Sequence, residues 1–125
     1  MVKTIISMGI VAIIIIVGAL YEGDFVQRQF VEMQEVLSVL LEKAENETAV
    51  EDDVIAVQNS WLEKKKYLHA FIPHNEIKEV DLWISETKKV VKDKKWTDAI
   101  SKINVLSDLC KQIPKTFLVN AENIL

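Results

Sequence analysis

The sequence predicts an all-α protein: an N-terminal transmembrane helix followed by an antiparallel up-down bundle of about four helices. Three observations carry that prediction. An uncharged apolar run, TIISMGIVAIIIIVGALY, occupies Thr4 to Tyr21. Past Gly23, apolar residues recur at the spacings of three and four that line one face of a helix. The three glycines, Gly9, Gly18 and Gly23, all precede Asp24, which removes phosphate-binding loops, dinucleotide fingerprints and glycine-dependent hairpins from the rest of the chain.

The apolar run is eighteen residues long. As a helix it spans about 27 Å, close to the bilayer core of roughly 30 Å. Lys3 precedes it, and Glu22 and Asp24 follow. The positive-inside tendency then places the N-terminus in the cytoplasm and the domain outside. Cleavage as a signal peptide near Ala19, which would release a secreted domain, is the competing reading. The run exceeds a usual signal core in length, which favours an uncleaved anchor over residues 1–21 and an extracytoplasmic bundle over 22–125. The lack of an acidic residue early in the run argues against a pilin-like stem, and no cysteine follows it for lipid attachment.

The first bundle helix carries Val26, Phe30, Met33, Leu37, Leu40 and Ala44 on one stripe. Asn46 to Thr48 forms the turn, and Thr48 with Glu51 fits a capping box. The second helix carries Val50, Val54, Val57, Trp61, Leu68 and Phe71, with Lys64 at one seam position, and ends at Ile72 before Pro73. A third, from about Asn75 to Val91, carries Ile77, Val80, Ile84, Thr87 and Val91. Lys92 to Lys95 connects, with Asp93 a candidate N-cap. The fourth carries Trp96, Ala99, Ile103, Leu106, Cys110 and Ile113 and stops at Pro114, leaving TFLVNAENIL to dock back on the bundle.

Net charge is only -4, but Glu22 to Glu63 holds eleven acids against two bases, and Lys64 to Leu125 holds twelve lysines against eight acids. Antiparallel packing lets the two halves pair. Nucleic-acid binding wants an unopposed basic face beside aromatic platforms, and the sequence shows none.

FIPHNEI, Phe71 to Ile77, concentrates a proline, a histidine and a glutamate, with His69 just upstream. His69, His74 and Glu76 are candidate metal or small-ligand residues. A proline separates the histidines, however, and they are five apart, not on one helical face. The favoured reading makes His74 or Asn75 the N-cap of the third helix, with Glu76 near its positive end. Cys110 lies on an apolar seam and reads as a small core residue. Trp61 and Trp96 also fall on seams. Trp83 stands one step off, and with Lys64, Lys65 and Lys66 it is the candidate partner surface; the lysines also suit anionic headgroups. Asn46-Glu47-Thr48 is a glycosylation acceptor in hosts that modify exported chains. Nothing positions an acid, a base and a nucleophile together, so no catalytic residue, no cofactor and no enzyme activity is expected.

The N-terminal anchor, Ile72-Pro73-His74 followed by Glu76-Ile77, the Lys/Asp-rich connection before Ala99, and Glu122-Asn123-Ile124-Leu125 together resemble an uncharacterised family of short single-pass membrane proteins from spore-forming Gram-positive bacteria. The resemblance covers most of the chain and is strongest from Trp61 onward. In that family Glu76-Ile77 is commonly followed by aspartate; here Lys78 stands there. The resemblance implies a membrane-tethered helical domain, often encoded beside a polytopic membrane protein, with no established catalytic residue and a structural role for the chain end. The expectation is therefore an accessory domain that docks on a membrane-protein partner, held in the bilayer through residues 4–21. A sensory bundle at His69, His74 and Glu76 is the alternative.

Overall fold

The computed structural model describes the backbone of residues 2–124 and the side chains of 2–18, 20–21 and 23–118. Four helices follow in order: α1 (Val2–Glu45), α2 (Glu51–Leu68), α3 (His74–Lys92) and α4 (Trp96–Ile124). Each packs on its sequence neighbours, and α4 closes the ring on α1. Cross-helix partners run in opposite directions along the chain. Lys43 meets Asp53 and Lys64 meets Glu32. Trp61 meets Asp81 while Lys88 meets Glu51, and Gln34 of α1 meets Cys110 of α4. The bundle is antiparallel throughout.

The predicted stripes meet in one core. All six stripe residues of α1, from Val26 to Ala44, are buried, as are all five of α3 and five of six on α4. Trp96 of α4 and Phe71 are half-buried at the ends. Trp61 is enclosed against Phe30, ring centroids 6.1 Å apart. Its indole N–H donates to Asp81 at 2.7 Å, so its one polar atom is satisfied. Thr87, the buried hydroxyl of α3, donates to the Trp83 carbonyl one turn back at 2.7 Å.

The apolar run and the first bundle helix form a single helix of 44 residues, about 66 Å long, which passes through Gly23. In its first part the large apolar side chains described, from Val2 to Val17 and Leu20, are exposed, and Gly23 is buried. Among the described helices, α1 is the one long and apolar enough to cross a membrane.

Several local expectations are corrected. Val50 is not on the seam but 56% exposed, because it is the extended N-cap of α2 (φ -122°, ψ 168°), and Ala49 is buried in its stead. The side-chain half of the capping box comes from Asp53 at the third helical position, whose carboxylate accepts from the Val50 N–H at 2.9 Å. The Thr48 hydroxyl turns back to donate to the Lys43 carbonyl at 3.2 Å, closing α1. α2 ends at Leu68, and residues 69–72 wind into tighter turns. Pro73, with φ -54° and ψ 142°, is itself the N-cap of α3. His74 is therefore the first helical residue and neither it nor Asn75 caps. Asp93 closes α3 and does not open α4.

α4 does not stop at Pro114 but runs on to Ile124. A proline inside a helix frees the carbonyl four residues back, here that of Cys110. Gln34 Nε2 of α1 donates to that carbonyl at 3.3 Å. The neighbouring helix thus supplies the bond that the proline removes, and α4 continues over residues 116–124. The docking expected of Glu122-Asn123-Ile124-Leu125 lies outside the described side chains.

Candidate functional site

Because α2 runs back along α1, its C-terminal end returns to the level where the apolar segment of α1 enters the bundle. Four aromatic rings gather at this junction. Phe25 lies edge-on to Tyr67 at 6.4 Å and to Phe71 at 6.3 Å, and Phe71 meets Phe117 of α4 at 6.2 Å. Tyr21, Phe25, Lys66, Tyr67, Ala70 and Phe71 line a groove of about 470 Å³ there. Tyr67 and Tyr21 remain 60% and 68% exposed.

The predicted histidine corner lies at the same end. The rings of His69 and His74 stack, centroids 6.0 Å apart and 28° from parallel. Winding residues 69–72 into tight turns brings them together despite the proline. Both are exposed. Glu76 is half-buried, and burial pushes its carboxyl above its ordinary range. Among the described residues no group of three or more histidine, cysteine or acidic side chains converges to hold a metal ion.

The lysine triple is divided by the helix surface. Lys64 is 9% exposed; it points into the α1–α2 seam, donating to Gln29 at 3.3 Å and to Glu32. Its ammonium holds the Glu32 carboxyl below its ordinary range. Lys65 donates to Asp81 at 2.8 Å, on the carboxylate that also receives Trp61. Lys66 alone stays on the outside, paired loosely with Glu63 at 3.3 Å. Of the charge pairs between helices, Lys64–Glu32 and Lys88–Glu51 join the acidic half to the basic half; Lys43–Asp53, Lys65–Asp81 and Lys102–Glu86 pair within a half.

Trp83 occupies the α3–α4 groove, half-buried. Its N–H donates to Glu79 at 3.1 Å, and Lys102 Nζ stands 5.2 Å from its ring centroid, within cation–π range. Leu82 beside it is 55% exposed. Cys110 is fully buried, and burial pushes its thiol up to about 12, far from a nucleophilic thiolate at neutral pH.

The profile of one family, described as "Domain of unknown function (DUF4363)", matches residues 25–124, the bundle almost end to end. The chain belongs to the DUF4363 family. The match begins at Phe25, the first aromatic of the junction cluster, and leaves the apolar segment outside it. No curated protein and no solved structure matches the chain. For this DUF4363 bundle, the junction cluster is what the sequence reading missed. Its signal was the helical spacing of Tyr21 with Phe25, at the end of the apolar run, and of Tyr67 with Phe71 before Pro73, four apart in each case.

Proposed function

We propose that the chain is a membrane-tethered helical accessory domain, which docks on a membrane-protein partner and carries out no catalysis. The observation that supports this most is the continuity of α1: an apolar segment of membrane-spanning length, with its side chains exposed, runs unbroken into the bundle core. Retained in the bilayer with the N-terminus in the cytoplasm, this helix holds the bundle outside at fixed height. It also raises the local concentration of the bundle for partners in the same membrane. The docking face is the outer side of α3, where Trp83 and Leu82 present apolar surface beside Lys102 and Glu79. α3 lies diagonally across the ring from α1, so this face looks away from the tether. Aromatic anchors ringed by polar groups are what protein interfaces concentrate.

The experiment is cross-linking in intact membranes, with a photoreactive residue at Leu82 and a control at Glu42 on α1. A membrane protein captured from position 82 and lost in Trp83→Ala supports the reading. Capture of no membrane protein from either position sinks it. A second reading, a sensory bundle that binds a divalent metal or small molecule near His69, His74 and Glu76, rests on the stacking of the two imidazoles. A zinc-induced rise in melting temperature that disappears in His74→Ala favours it.

A further inference from the structure

We infer that the junction groove is a binding site for one anionic phospholipid, its acyl chain among the aromatic rings and its headgroup on Lys66. The inference rests on the membrane-tethered reading, because that reading fixes what surrounds the groove. Tyr21 is the last residue of the apolar run, and Phe25 follows one helical turn later, about 6 Å further along α1. The Phe25 ring packs edge-on against Tyr67 and Phe71, so the α2 wall of the groove stands at the same height. If Tyr21 marks the edge of the hydrocarbon, the groove opens at the headgroup level, where tyrosines with an apolar ring and a wet hydroxyl concentrate.

Its size and chemistry fit one occupant. A volume of about 470 Å³ lies within the range of small-molecule pockets and is too small for a second helix. Among the described residues the lining combines the apolar Phe25, Ala70 and Phe71 with Tyr21, Tyr67 and Lys66, whose side chains carry two hydroxyls and one ammonium. An ammonium at the rim of an apolar slot is the complement of a phosphodiester on an acyl chain. Among the described residues Lys66 pairs with the Glu63 carboxylate at 3.3 Å, and the two side chains are 67% and 72% exposed. Such a pair is weak and yields readily to a phosphate. Lys64 and Lys65 are committed to Glu32 and Asp81, so the headgroup falls to Lys66.

The test is native mass spectrometry of the full chain extracted from vesicles of equal phosphatidylglycerol and phosphatidylcholine. One phosphatidylglycerol per chain is expected, at about fivefold over phosphatidylcholine for a single lysine contact. Lys66→Arg keeps the preference and Lys66→Glu abolishes it. Ala70→Phe fills the slot and loses the lipid, with helicity and melting by circular dichroism confirming that the variant folds. Equal retention of the two lipids by the wild type, an undiminished lipid in Ala70→Phe, or a lipid-free dimer overturns the inference. Alkaline carbonate extraction separates the two levels of failure. A chain that resists carbonate yet holds no phosphatidylglycerol refutes the groove alone, whereas release by carbonate refutes the anchoring and the groove with it.

Discussion

Removing the Gln34 amide should cost stability only because Pro114 is present. The Cys110 carbonyl has lost its intrahelical donor to the proline and accepts instead from Gln34 Nε2 at 3.3 Å. A buried carbonyl left without a donor costs about 1–3 kcal/mol. The bond here is longer than the usual range and Gln34 is half-buried, which places Gln34→Ala at the low end, about 1 kcal/mol. Pro114→Ala restores an N–H to the helix and relieves a penalty of up to about 3 kcal/mol. Lost packing of the buried ring and a more flexible unfolded chain offset part of that gain. In the Pro114→Ala background the Cys110 carbonyl is bonded within α4, so Gln34→Ala should then cost close to nothing beyond its lost methylenes. The double-mutant cycle isolates the difference, a coupling of about 1 kcal/mol. Urea unfolding of the full chain in mild detergent, followed by fluorescence of the buried Trp61, reads it directly. The apolar segment does not pack in the core and drops out of the comparison. Equal penalties for Gln34→Ala in both backgrounds would refute the reasoning, since the amide would then matter for something other than the proline.

The other predictions concern charge, backbone and thiol. The carboxyls of Glu32, Asp53 and Glu86 all titrate below their ordinary values, chiefly because Lys64, Lys43 and Lys102 donate to them. A depressed folded value contributes stability above the unfolded value that is lost as pH falls through the folded one, so melting temperature should drop below about pH 4.5. Glu32→Gln should shrink that drop; an unchanged acid limb would dismiss the Lys64 pair as its source. Glu76 has the opposite sign: burial raises its value, so its charged form opposes folding at neutral pH and the penalty is relieved as pH falls. Glu76→Gln should accordingly raise the melting temperature at pH 7 and leave it unmoved at pH 3. Glu47 and Lys94 adopt left-handed backbone, with φ 58° and 57°, where helices α1 and α3 terminate. Glycine at either position should stabilise by about 0.5–1 kcal/mol, because relief of the side-chain clash exceeds the added freedom of the unfolded chain; a destabilised Lys94→Gly would contradict it. Cys110, buried with its thiol near 12, should resist iodoacetamide at pH 8 in the folded chain and react promptly in urea.

Much of the fold was legible because the stripe is a global property. Val26, Phe30, Met33, Leu37, Leu40 and Ala44 repeat often enough that no single misplacement shifts the face, and each is buried. Helix ends were less legible because each rests on one or two bonds that compete with near-equal alternatives. Thr48 was a better N-cap by type than Val50, yet Val50 takes that place with Asp53 accepting from its N–H, after a left-handed Glu47 that a glutamate does not advertise. Pro114 misled for a different reason. Local rules stop a helix there, while the compensating donor, Gln34, lies on another helix, 76 residues in sequence from the Cys110 carbonyl it serves. The lysine triple shows the same limit: consecutive residues face 100° apart, so Lys64 is enclosed and Lys66 is not, although the letters are alike. His69 and His74 came together through turns that periodicity does not describe.

Where each surface stands along the bundle limits what can reach it. A glycine in mid-helix costs about 1 kcal/mol relative to alanine, so Gly23 needs a reason, and a hinge is the obvious one. The packing gives another. A Cβ on Gly23 would sit 3.0 Å from Leu118 Cδ2, so the glycine lets α4 close on α1 where the bundle begins. A position enclosed in this way is held, whereas Gly18 has nothing within 4 Å and leaves any bending to the apolar run itself. From Gly23 onward α1 is then a strut, and helical rise converts residue numbers into heights. Gln34 stands about 20 Å beyond Tyr21. Trp61 packs on Phe30, nine residues beyond Tyr21, and its indole meets Asp81, two residues before Trp83. Trp83 is therefore about 20 Å above the end of the apolar run. Under the tethering proposed above, a partner that touches Trp83 must project that far from the bilayer, while one close to the membrane meets the end of the bundle that carries Tyr21, Tyr67 and Lys66. The α3 face and the junction groove are thus separate surfaces, and one partner occupies both only by spanning that distance along the bundle.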